Sequence, residues 1–382
     1  MSRAFFLLSL LLLSCSAQNS AVSQQVQTAP ASTQPAAAQP APALSAAEFG
    51  QLIERISEPN GYFDTDNLIS NESSYLHVMG KMRKMNITGG AYVGVGPDQN
   101  FSYIAQVRPR IAFIVDIRHD NQLQHLFFKA LFALSNNRME YLCLLFGKPF
   151  ATDPSKWNIT QVVEYLDKTP ADRKRFEATR AKIVEKIKTF GLKLDDKDFA
   201  TIGSIHEEFF MAGLDLKFPS HNRSPRPYYP SYRDLLLEKD LTGKQCNYLV
   251  AEEDFQFLRS LENRNLLIPT VGNFAGDKAF AEVGKILKER GEKVTAFYTS
   301  NVEYYLMGDT SFDRYADNVR RLPIDPHGVL IRSVFGGGYG IRGVQNLPGY
   351  YSVQLLQPLE SFVKGKFESY RDLITQDTID LK

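Results

Sequence analysis

Apolar blocks alternate with amphipathic blocks along most of the chain, and this alternation predicts strands that are connected by helices. The segment IAFIVDI at 111–117 is a continuous apolar run, as expected of a parallel strand that is covered on both faces. A shorter apolar strand is predicted at 90–95, and a helix at 98–107 connects the two strands. Residues 119–135 carry apolar side chains at helical spacing, which predicts a long helix.

The alternation resumes in the second half of the chain. Strands are predicted in NLLIPTVGNF, KVTAFYTSN, VLIRSVF and YYSVQLLQP. Helices are predicted at 253–262 and at 277–291, with Asp277 at the start of the second helix. A Gly-rich loop separates the last two strands, which favours an antiparallel hairpin. The pattern therefore predicts an α/β fold with a doubly wound, mostly parallel sheet and a C-terminal antiparallel hairpin.

Residues 147–245 interrupt the alternation and are interpreted as a helical insertion that forms a lid. The insertion contains a charged helical stretch, ADRKRFEATRAKIVEKIKTFGLKLDDKDF, and an aromatic, proline-rich loop, FPSHNRSPRPYYPSY. Acidic residues are interleaved with the basic ones in the charged stretch. That pattern is more typical of a solvated helix face than of a phosphate-binding site.

The first 15 residues, MSRAFFLLSLLLLSC, have the pattern of a secretory signal peptide. Arg3 precedes an apolar run at 4–13 that is shorter than a membrane-spanning helix. The residues Leu12-Leu13-Ser14-Cys15 resemble the bacterial lipobox, which implies that Cys15 is lipidated. The prediction is an exported lipoprotein of the bacterial cell envelope that is bound to a membrane through Cys15. An ordinary signal peptide that is cut at a nearby small residue is the alternative.

Residues 16–44 are predicted to form a disordered tether. The segment consists mostly of Ala, Pro, Gln, Ser and Thr, and it contains neither charged nor aromatic residues. Such a segment cannot bury enough apolar surface to offset the entropy that ordering would cost, and its prolines keep it extended. Ser45 and Glu48 have the spacing of a helix N-terminal capping box, so the globular domain is predicted to span 45–382.

Composition and spacing narrow the classes of function. Hydrophobic residues make up 43% of the 382 residues, as in an ordinary globular protein, and 44 Lys and Arg balance 43 Asp and Glu. This balance indicates no basic surface for nucleic acid. His119 and His125 are six residues apart, which does not place them on one face of a helix, so no metal site is predicted. Cys143 and Cys246 are predicted to be unpaired, with a disulfide between them as the alternative.

The segment AYVGVGPDQNF has features of the first turn of a nucleotide-binding βαβ unit. Gly94 and Gly96 follow an apolar strand, where glycines allow the backbone to approach a ligand. Asp116 lies 22 residues after Gly94, at the end of the next predicted strand. A carboxylate at that place accepts hydrogen bonds from two ribose hydroxyls. A salt bridge of Asp116 with Arg118 or Arg110 is the alternative.

Together with the order of strands and helices, these residues resemble the class I S-adenosylmethionine-dependent methyltransferases over about residues 90–358. The resemblance implies a Rossmann-like domain that binds S-adenosylmethionine through Gly94, Gly96, Asp98 and Asp116. The family motif usually has an acid at the position of Tyr92 and a third glycine at that of Asp98. The chain is also similar to an uncharacterised group of bacterial proteins that carry the same VGPDQNF and FIVDIR segments.

Asp98 affects the choice of cofactor. A carboxylate at a helix N-terminus is favourable for the helix dipole, but it disfavours a phosphate at the same place. Asp98 therefore argues against a dinucleotide, whose pyrophosphate occupies that place. S-adenosylmethionine has no phosphate and carries an amino group and a sulfonium. Simple capping of the helix by Asp98 is the alternative.

Two polar residues that follow later strands are candidates for catalysis in such a fold. Asn273 follows NLLIPTV and is expected to hold a polar group of the substrate, and Glu303 follows KVTAFY and is a candidate base. The alternative for both is a structural role as a helix cap or a first-turn acid. Upstream of the first strand, Asn71, Glu72 and Tyr75 are expected to close over the site.

Two functions are consistent with these features. The first is an exported, membrane-tethered methyltransferase-like protein that binds S-adenosylmethionine and acts on an unknown small molecule or protein. The second is a non-catalytic envelope lipoprotein that keeps the Rossmann-like fold as a binding or scaffolding module. S-adenosylmethionine is a cytoplasmic metabolite that an exported lipoprotein would not normally meet, and the altered motif also favours the second function.

Overall fold

The computed structural model describes residues 41–220, 226–308, 311–336 and 347–381. Cys15, the leader and most of the predicted tether lie outside these ranges. The first helix begins as predicted, with Ser45 as its N-cap and a capping box between Ser45 and Glu48. The backbone N–H of Ser45 donates to Oε2 of Glu48 at 2.7 Å, and the N–H of Glu48 donates to Oγ of Ser45 at 3.2 Å.

Within the described ranges, six strands form one sheet. They are β1 (Ala91–Gly94), β2 (Ile111–Asp116), β3 (Leu267–Val271), β4 (Val294–Ser300), β5 (Ile324–Phe335) and β6 (Ser352–Pro358). Their order is β3-β2-β1-β4-β5-β6. Strands β1 to β5 are parallel to their neighbours, and β6 pairs antiparallel with β5. The predicted α/β fold with a mostly parallel sheet is confirmed.

Fifteen α-helices accompany the sheet in the described ranges. They are α1 (Ala46–Ile56), α2 (Met79–Lys84), α3 (Gln99–Val107), α4 (His119–Leu134), α5 (Arg138–Leu145), α6 (Ile159–Lys168), α7 (Arg173–Lys188), α8 (Asp196–Ala212), α9 (Tyr232–Leu237), α10 (Glu252–Asn263), α11 (Ala279–Glu289), α12 (Val302–Gly308), α13 (Phe312–Arg321), α14 (Leu359–Lys364) and α15 (Tyr370–Thr375). None of these helices is long and apolar enough to span a bilayer.

The central strands are buried because helices pack against them. Every residue of β1 and β2 is buried, as the apolar runs indicated. Helix α4 packs against β2 and β3, and α3 packs against β1 and β4. Helix α14 packs against β5. Polar loops begin where the parallel strands end.

Helices α6 to α9 lie within residues 147–245, the segment interpreted as an insertion. Helices α7 and α8 pack against α4, and α6 packs against α9. The insertion is therefore attached to the sheet through α4. Phe127 of α4 contacts both His206 and Phe209 of α8, with ring centroids 5.1 and 6.3 Å apart.

Helix α11 begins at Ala279, two residues after the predicted start at Asp277. A distant residue caps it: Oε1 of Glu58 accepts the N–H groups of Lys278 and Ala279 at 2.9 and 2.8 Å. Glu58 lies 221 residues before Ala279 in the chain. The local sequence cannot indicate a capping residue that lies so far away in the chain. The prediction therefore placed Asp277, the nearest suitable residue, at the start of the helix.

Two elements near the C-terminus extend beyond what the pattern predicted. Helix α13 lies where no helix was predicted, although its buried residues Phe312, Tyr315, Ala316 and Val319 have helical spacing. Strand β5 begins at Ile324, before the predicted VLIRSVF, and its pairing with β4 shifts register between Val294 and Ala296. The irregular pairing allows the strand to start earlier than its apolar run.

Cys143 and Cys246 are both free, as predicted. Cys143 is buried and Cys246 is half-buried. Burial raises the pKa of the Cys143 thiol to about 12 and that of the Cys246 thiol to about 11. Both thiols are therefore protonated at neutral pH, and neither has the thiolate character of a reactive cysteine.

Candidate functional site

A cavity of about 290 Å³ lies at the edge of the sheet where β1 to β4 end. The residues that follow these strands line it: Val95 and Gly96 after β1, Asp116–Arg118 at the end of β2, Gly272–Phe274 after β3, and Ser300–Val302 at the end of β4. The order of the sheet reverses direction at β1, because β2 lies on one side of it and β4 on the other. Open α/β sheets bind ligands at such a point.

The loop after β1 is held in place by two side chains. Gly96 has φ of +83°, a conformation that favours glycine, and it lines the cavity. Nδ2 of Asn100 donates to the carbonyl oxygens of Val95 and Pro97, both at 2.8 Å. Nε2 of His125 donates to the carbonyl oxygen of Gly96 at 2.9 Å. Burial lowers the pKa of His125 to about 4, so its ring is neutral at pH 7. The loop is therefore fixed before any ligand arrives.

Gly94 does not line the cavity, although the sequence placed it in the cofactor loop. A Cβ atom at this position would lie 2.0 Å from Oδ1 of Asn100 and 2.7 Å from Cε1 of Tyr92. The hydroxyl of Tyr92 donates to the same Oδ1 at 2.7 Å. Gly94 thus leaves room for the side chains that support the loop, and its role is indirect.

Replacing Gly94 by alanine is expected to destabilise the protein by about 1–3 kcal/mol, because the new methyl group displaces Asn100 and Tyr92. Chemical denaturation of the variant measures this loss. Gly308→Ala is the matched control, since a Cβ atom at Gly308 would have no neighbour within 4 Å. A Gly94→Ala variant as stable as the Gly308→Ala variant would contradict the packing role.

Asp116 lines the cavity as predicted, but it is also paired with Arg118. Oδ2 of Asp116 accepts from Nη2 of Arg118 at 2.9 Å, and Oδ1 accepts from Nε and from the backbone N–H of Arg118, both at 3.0 Å. Arg118 also donates to the carbonyl oxygen of Asp66 at 2.7 Å. The salt bridge that was the alternative for Asp116 is therefore present. Oδ2 keeps one acceptor position, which allows a bond to one ribose hydroxyl rather than two.

Asp98, predicted to bind the cofactor, does not line the cavity. It is buried, and its Oδ2 accepts from the hydroxyls of Tyr232 and Tyr248 at 2.8 and 3.1 Å. Its side chain makes no capping hydrogen bond to α3. Burial raises the pKa of Asp98 to about 6. Asp98 has the position in the sequence, two residues after Gly96, that a cofactor-binding residue would have. Tyr232 and Tyr248, which lie far along the chain, instead bind its carboxyl group away from the cavity.

Glu303, predicted as a catalytic base, also does not line the cavity. Both oxygens of its buried carboxylate pair with Arg332 of β5, Nη2 of which lies 3.2 Å from Oε1. The hydroxyl of Tyr315 donates to Oε1 at 2.8 Å. Nη1 of Arg332 donates to Oε1 of Gln357 at 2.8 Å. These contacts make Glu303 part of a structural ion pair beneath the sheet edge.

Asn273 lines the cavity, as predicted for a residue that holds a substrate group. Its Oδ1 accepts the N–H of Ala275 at 2.9 Å, and its own N–H donates to Oε2 of Glu58 at 2.9 Å. The side chain therefore stabilises the turn after β3, which was its structural alternative. Nδ2 remains as the group that Asn273 can offer to a ligand.

The segment before β1 supplies part of the cavity wall. Asn71 and Glu72 line it, as expected, whereas Tyr75 does not. The hydroxyl of Tyr75 donates to the carbonyl oxygen of Leu235 and accepts from Nδ2 of Asn247, both at 2.8 Å. Glu72 was expected only to close over the site, but it is a buried carboxyl group at the cavity itself. The sequence did not predict that Glu72 is buried at the cavity, because a single acid outside any helix or strand has no distinguishing local pattern.

Aromatic side chains form much of the remaining wall. They are Tyr62, Phe63, Phe218, Tyr229, Phe274 and Tyr305. Phe63 and Tyr305 meet edge to face, with ring centroids 5.3 Å apart. Tyr62 is 75% exposed, so it lies at the open side of the cavity. Phe218 and Tyr229 belong to the aromatic, proline-rich loop, which therefore contributes to the site.

The cavity wall carries more acidic than basic side chains. Among the described residues that line it, the charged side chains are Glu72, Asp116 and Arg118, and Arg118 is paired with Asp116. The described ranges contain no group of three or more His, Cys, Asp or Glu residues that is arranged to hold a metal ion. The site thus offers hydrogen-bond acceptors, an aromatic surface and one acid, Glu72, that has no cationic partner among the described residues.

Comparison with known proteins identifies a family but gives no activity. A family model described as "Domain of unknown function (DUF7790)" matches residues 68–379. No curated protein matches the chain. The matched region includes all six described strands and most of the cavity wall.

Proposed function

The chain belongs to the DUF7790 family, and we propose that it is a methyltransferase-like protein that binds S-adenosylmethionine or a close adenosyl relative in the cavity at the sheet edge. The observation that carries the proposal is the position of this cavity. It lies where β1, β2 and β4 end, next to the Gly96 loop and to Asp116. The finer assignment to the class I methyltransferase fold is part of the proposal.

The topology of the sheet supports an adenosyl ligand. The strand order β3-β2-β1-β4-β5, followed by an antiparallel last strand, is consistent with a Rossmann-like sheet whose ligand lies over β1. Asp116 is at the end of β2 and keeps one acceptor position for a ribose hydroxyl. Gly96 brings the backbone to the cavity without a side chain in the way.

The acidic side chains of the cavity wall favour a cationic ligand over a dinucleotide. A pyrophosphate would meet Glu72 and Asp116, while the guanidinium of Arg118 is already bound to Asp116. S-adenosylmethionine has no phosphate and carries a positive sulfonium, which aromatic side chains such as Phe63 and Tyr305 favour. The acidic and aromatic side chains of the wall therefore support the adenosyl ligand more than NAD.

If the protein is an enzyme, its main contribution is alignment of the methyl donor with the acceptor. S-adenosylmethionine supplies the reactive methyl group on its sulfonium. The protein then has to hold donor and acceptor in line, which is worth several kcal/mol, on the order of 7–11 in favourable cases. Asn273 is the one predicted catalytic residue that lines the cavity, and its Nδ2 is suited to orient the acceptor.

A non-catalytic binding module is the second candidate function, and one observation favours it. Glu303, the predicted base, is paired with Arg332 away from the cavity. A protein that binds an adenosyl ligand without transferring its methyl group needs no base. In both cases the export signal, the lipid anchor at Cys15 and a location in the bacterial cell envelope stay predictions from the sequence.

Replacing Asp116 by asparagine is expected to weaken binding of S-adenosylhomocysteine about tenfold or more, because a hydrogen bond to a charged acceptor is lost. Calorimetric titration of the purified variant measures the change. Asp240→Asn is the matched control, since Asp240 is a buried acid paired with Arg83 outside the cavity.

The control variant separates binding from stability. Both variants are expected to unfold at a lower temperature, because each leaves an arginine without its full partner. Only Asp116→Asn is expected to lose affinity. Equal affinities of the two variants for S-adenosylhomocysteine would show that Asp116 only forms the salt bridge with Arg118 and does not bind the ligand.

A further inference from the structure

Glu72 is a buried acid with no cation beside it. It is 1% exposed and forms no ion pair with any residue in the described ranges. Three neutral groups donate to it directly: the hydroxyl of Tyr298 to Oε2 at 2.7 Å, Nε2 of Gln354 to Oε2 at 2.8 Å, and the hydroxyl of Ser300 to Oε1. The hydroxyl of Ser333 is a fourth neutral neighbour of the carboxyl group. Oε2 is therefore saturated, while Oε1 keeps one acceptor position.

Ser300 is held in an unusual conformation next to this acid. Its φ is +52°, in the left-handed region that residues other than glycine rarely adopt. Ser300 is the last residue of β4, and it lines the cavity. Backbone strain of this kind is most often found at functional sites, where the surrounding structure maintains it. Here the left-handed turn brings the Ser300 hydroxyl to Glu72.

Gln99 supplies a second acceptor at the same wall. Its Nε2 donates to the hydroxyl oxygen of Tyr298 at 3.3 Å, and the hydroxyl of Tyr298 in turn donates a hydrogen bond to Glu72. This chain of donors fixes the orientation of the amide, because the oxygen of Tyr298 has to accept from an N–H. Oε1 of Gln99 is buried and has no partner among the described residues. Gln99 is 6% exposed and lines the cavity.

Two open acceptors on one wall define the chemistry of the missing partner. An ammonium group has three N–H donors and no acceptor, so it can bind Oε1 of Glu72 and Oε1 of Gln99 together. Burial raises the pKa of Glu72, and an ammonium group beside it would favour the ionised carboxylate. Hydrogen bonds between charged groups are stronger than neutral ones. A phosphate or a carboxylate would be repelled at the same place.

We propose that Glu72 and Gln99 bind the positively charged amino group of the ligand, and so orient its amino acid end toward β4. This inference rests on the proposed adenosyl ligand and adds which residues recognise its ammonium group. Tyr92 stands where related motifs usually have an acid. Glu72, from the segment before β1, therefore supplies a carboxylate that the strand itself lacks.

The test is a calorimetric comparison of two ligands on the whole protein. The ligands are S-adenosylhomocysteine and its analogue in which hydrogen replaces the amino group. The wild-type protein is expected to bind S-adenosylhomocysteine about 10- to 100-fold more tightly, as for hydrogen bonds between charged partners. In Glu72→Gln this preference is expected to shrink to a few fold, because the affinity for S-adenosylhomocysteine is expected to fall far more than the affinity for the analogue.

The analogue also serves as a control for folding, because a misfolded variant would lose both ligands. Gln99→Met is the second variant, and it is expected to reduce the preference for the amino group without removing it. An undiminished preference in both variants would overturn the assignment of Glu72 and Gln99 while leaving the adenosyl site intact. A wild-type protein that binds neither ligand would overturn the proposed function, and the inference with it.

Discussion

Replacing Arg332 by methionine is expected to lower the free energy of unfolding by about 3–5 kcal/mol, the usual cost of leaving a buried charge without its partner. Arg332 pairs with both oxygens of Glu303, and both residues are almost fully buried. The variant keeps the Tyr315 hydroxyl as a donor to Glu303, but a neutral hydroxyl does not balance the charge. Arg332 also donates to Gln357, which loses that bond.

Chemical denaturation of Arg332→Met measures this loss, and two further variants identify its cause. The double variant Arg332→Met/Glu303→Gln is expected to recover much of the lost stability, because no buried charge remains. Lys364→Met, which breaks an exposed helical pair with Glu360, is expected to leave stability nearly unchanged. A loss in Arg332→Met as small as that in Lys364→Met would show that the buried pair does not support the sheet edge.

Replacing Asp98 by asparagine is expected to flatten the dependence of stability on pH between about 4 and 6. Burial raises the pKa of Asp98 from 3.8 to about 6 in the folded protein. Between these two values the folded state binds more protons than the unfolded state, so the stability of the wild-type protein falls as pH rises. A shift of this size corresponds to about 2–3 kcal/mol, which the wild-type protein loses by pH 7 and the variant does not.

Thermal unfolding of both proteins at pH 4.5 and pH 7 measures the difference. Glu262, whose pKa burial raises to about 7, is present in both proteins and cancels in the comparison. Asparagine keeps an acceptor for the hydroxyls of Tyr232 and Tyr248, so the packing around position 98 is maintained. Parallel pH profiles for the two proteins would contradict the raised pKa of Asp98.

The order of strands and helices was predictable because the spacing of apolar residues along the chain differs between buried strands and amphipathic helices. The run at 111–117 forms β2, which is buried throughout, and residues 119–135 form α4. What local patterns did not reveal were contacts over long separations. The cap of α11 by Glu58 and the pairing of Glu303 with Arg332 depend on the finished fold.

In the candidate site, too, the residues that follow strand ends were predictable, and those bound by distant partners were not. Gly96, Asp116 and Asn273 reach the cavity because they follow strands whose ends share one edge of the sheet. Asp98 and Glu303 occupied equally plausible positions in the sequence. Partners from other parts of the chain bind their carboxylates away from the cavity, so local position alone did not place them.

Glu72, in contrast to Asp98 and Glu303, lies at the cavity although its sequence position gave little reason to expect it there. Nothing in its local sequence distinguishes it from an ordinary surface acid, although it is buried, and it belongs to no helix or strand. It becomes notable only because Tyr298 and Ser300 of β4 and Gln354 of β6 surround it at the cavity wall. Its burial beside the cavity is what separates a functional candidate from an ordinary acid.

The central claim is that the cavity at the sheet edge binds an adenosyl ligand without phosphates. Calorimetric titration of the purified protein with S-adenosylhomocysteine, with NAD and with adenosine tests it most directly. We expect S-adenosylhomocysteine to bind with a dissociation constant below about 1 mM, adenosine to bind more weakly, and NAD not to bind. Binding of NAD in preference to S-adenosylhomocysteine, or no binding by any of the three, would contradict the claim.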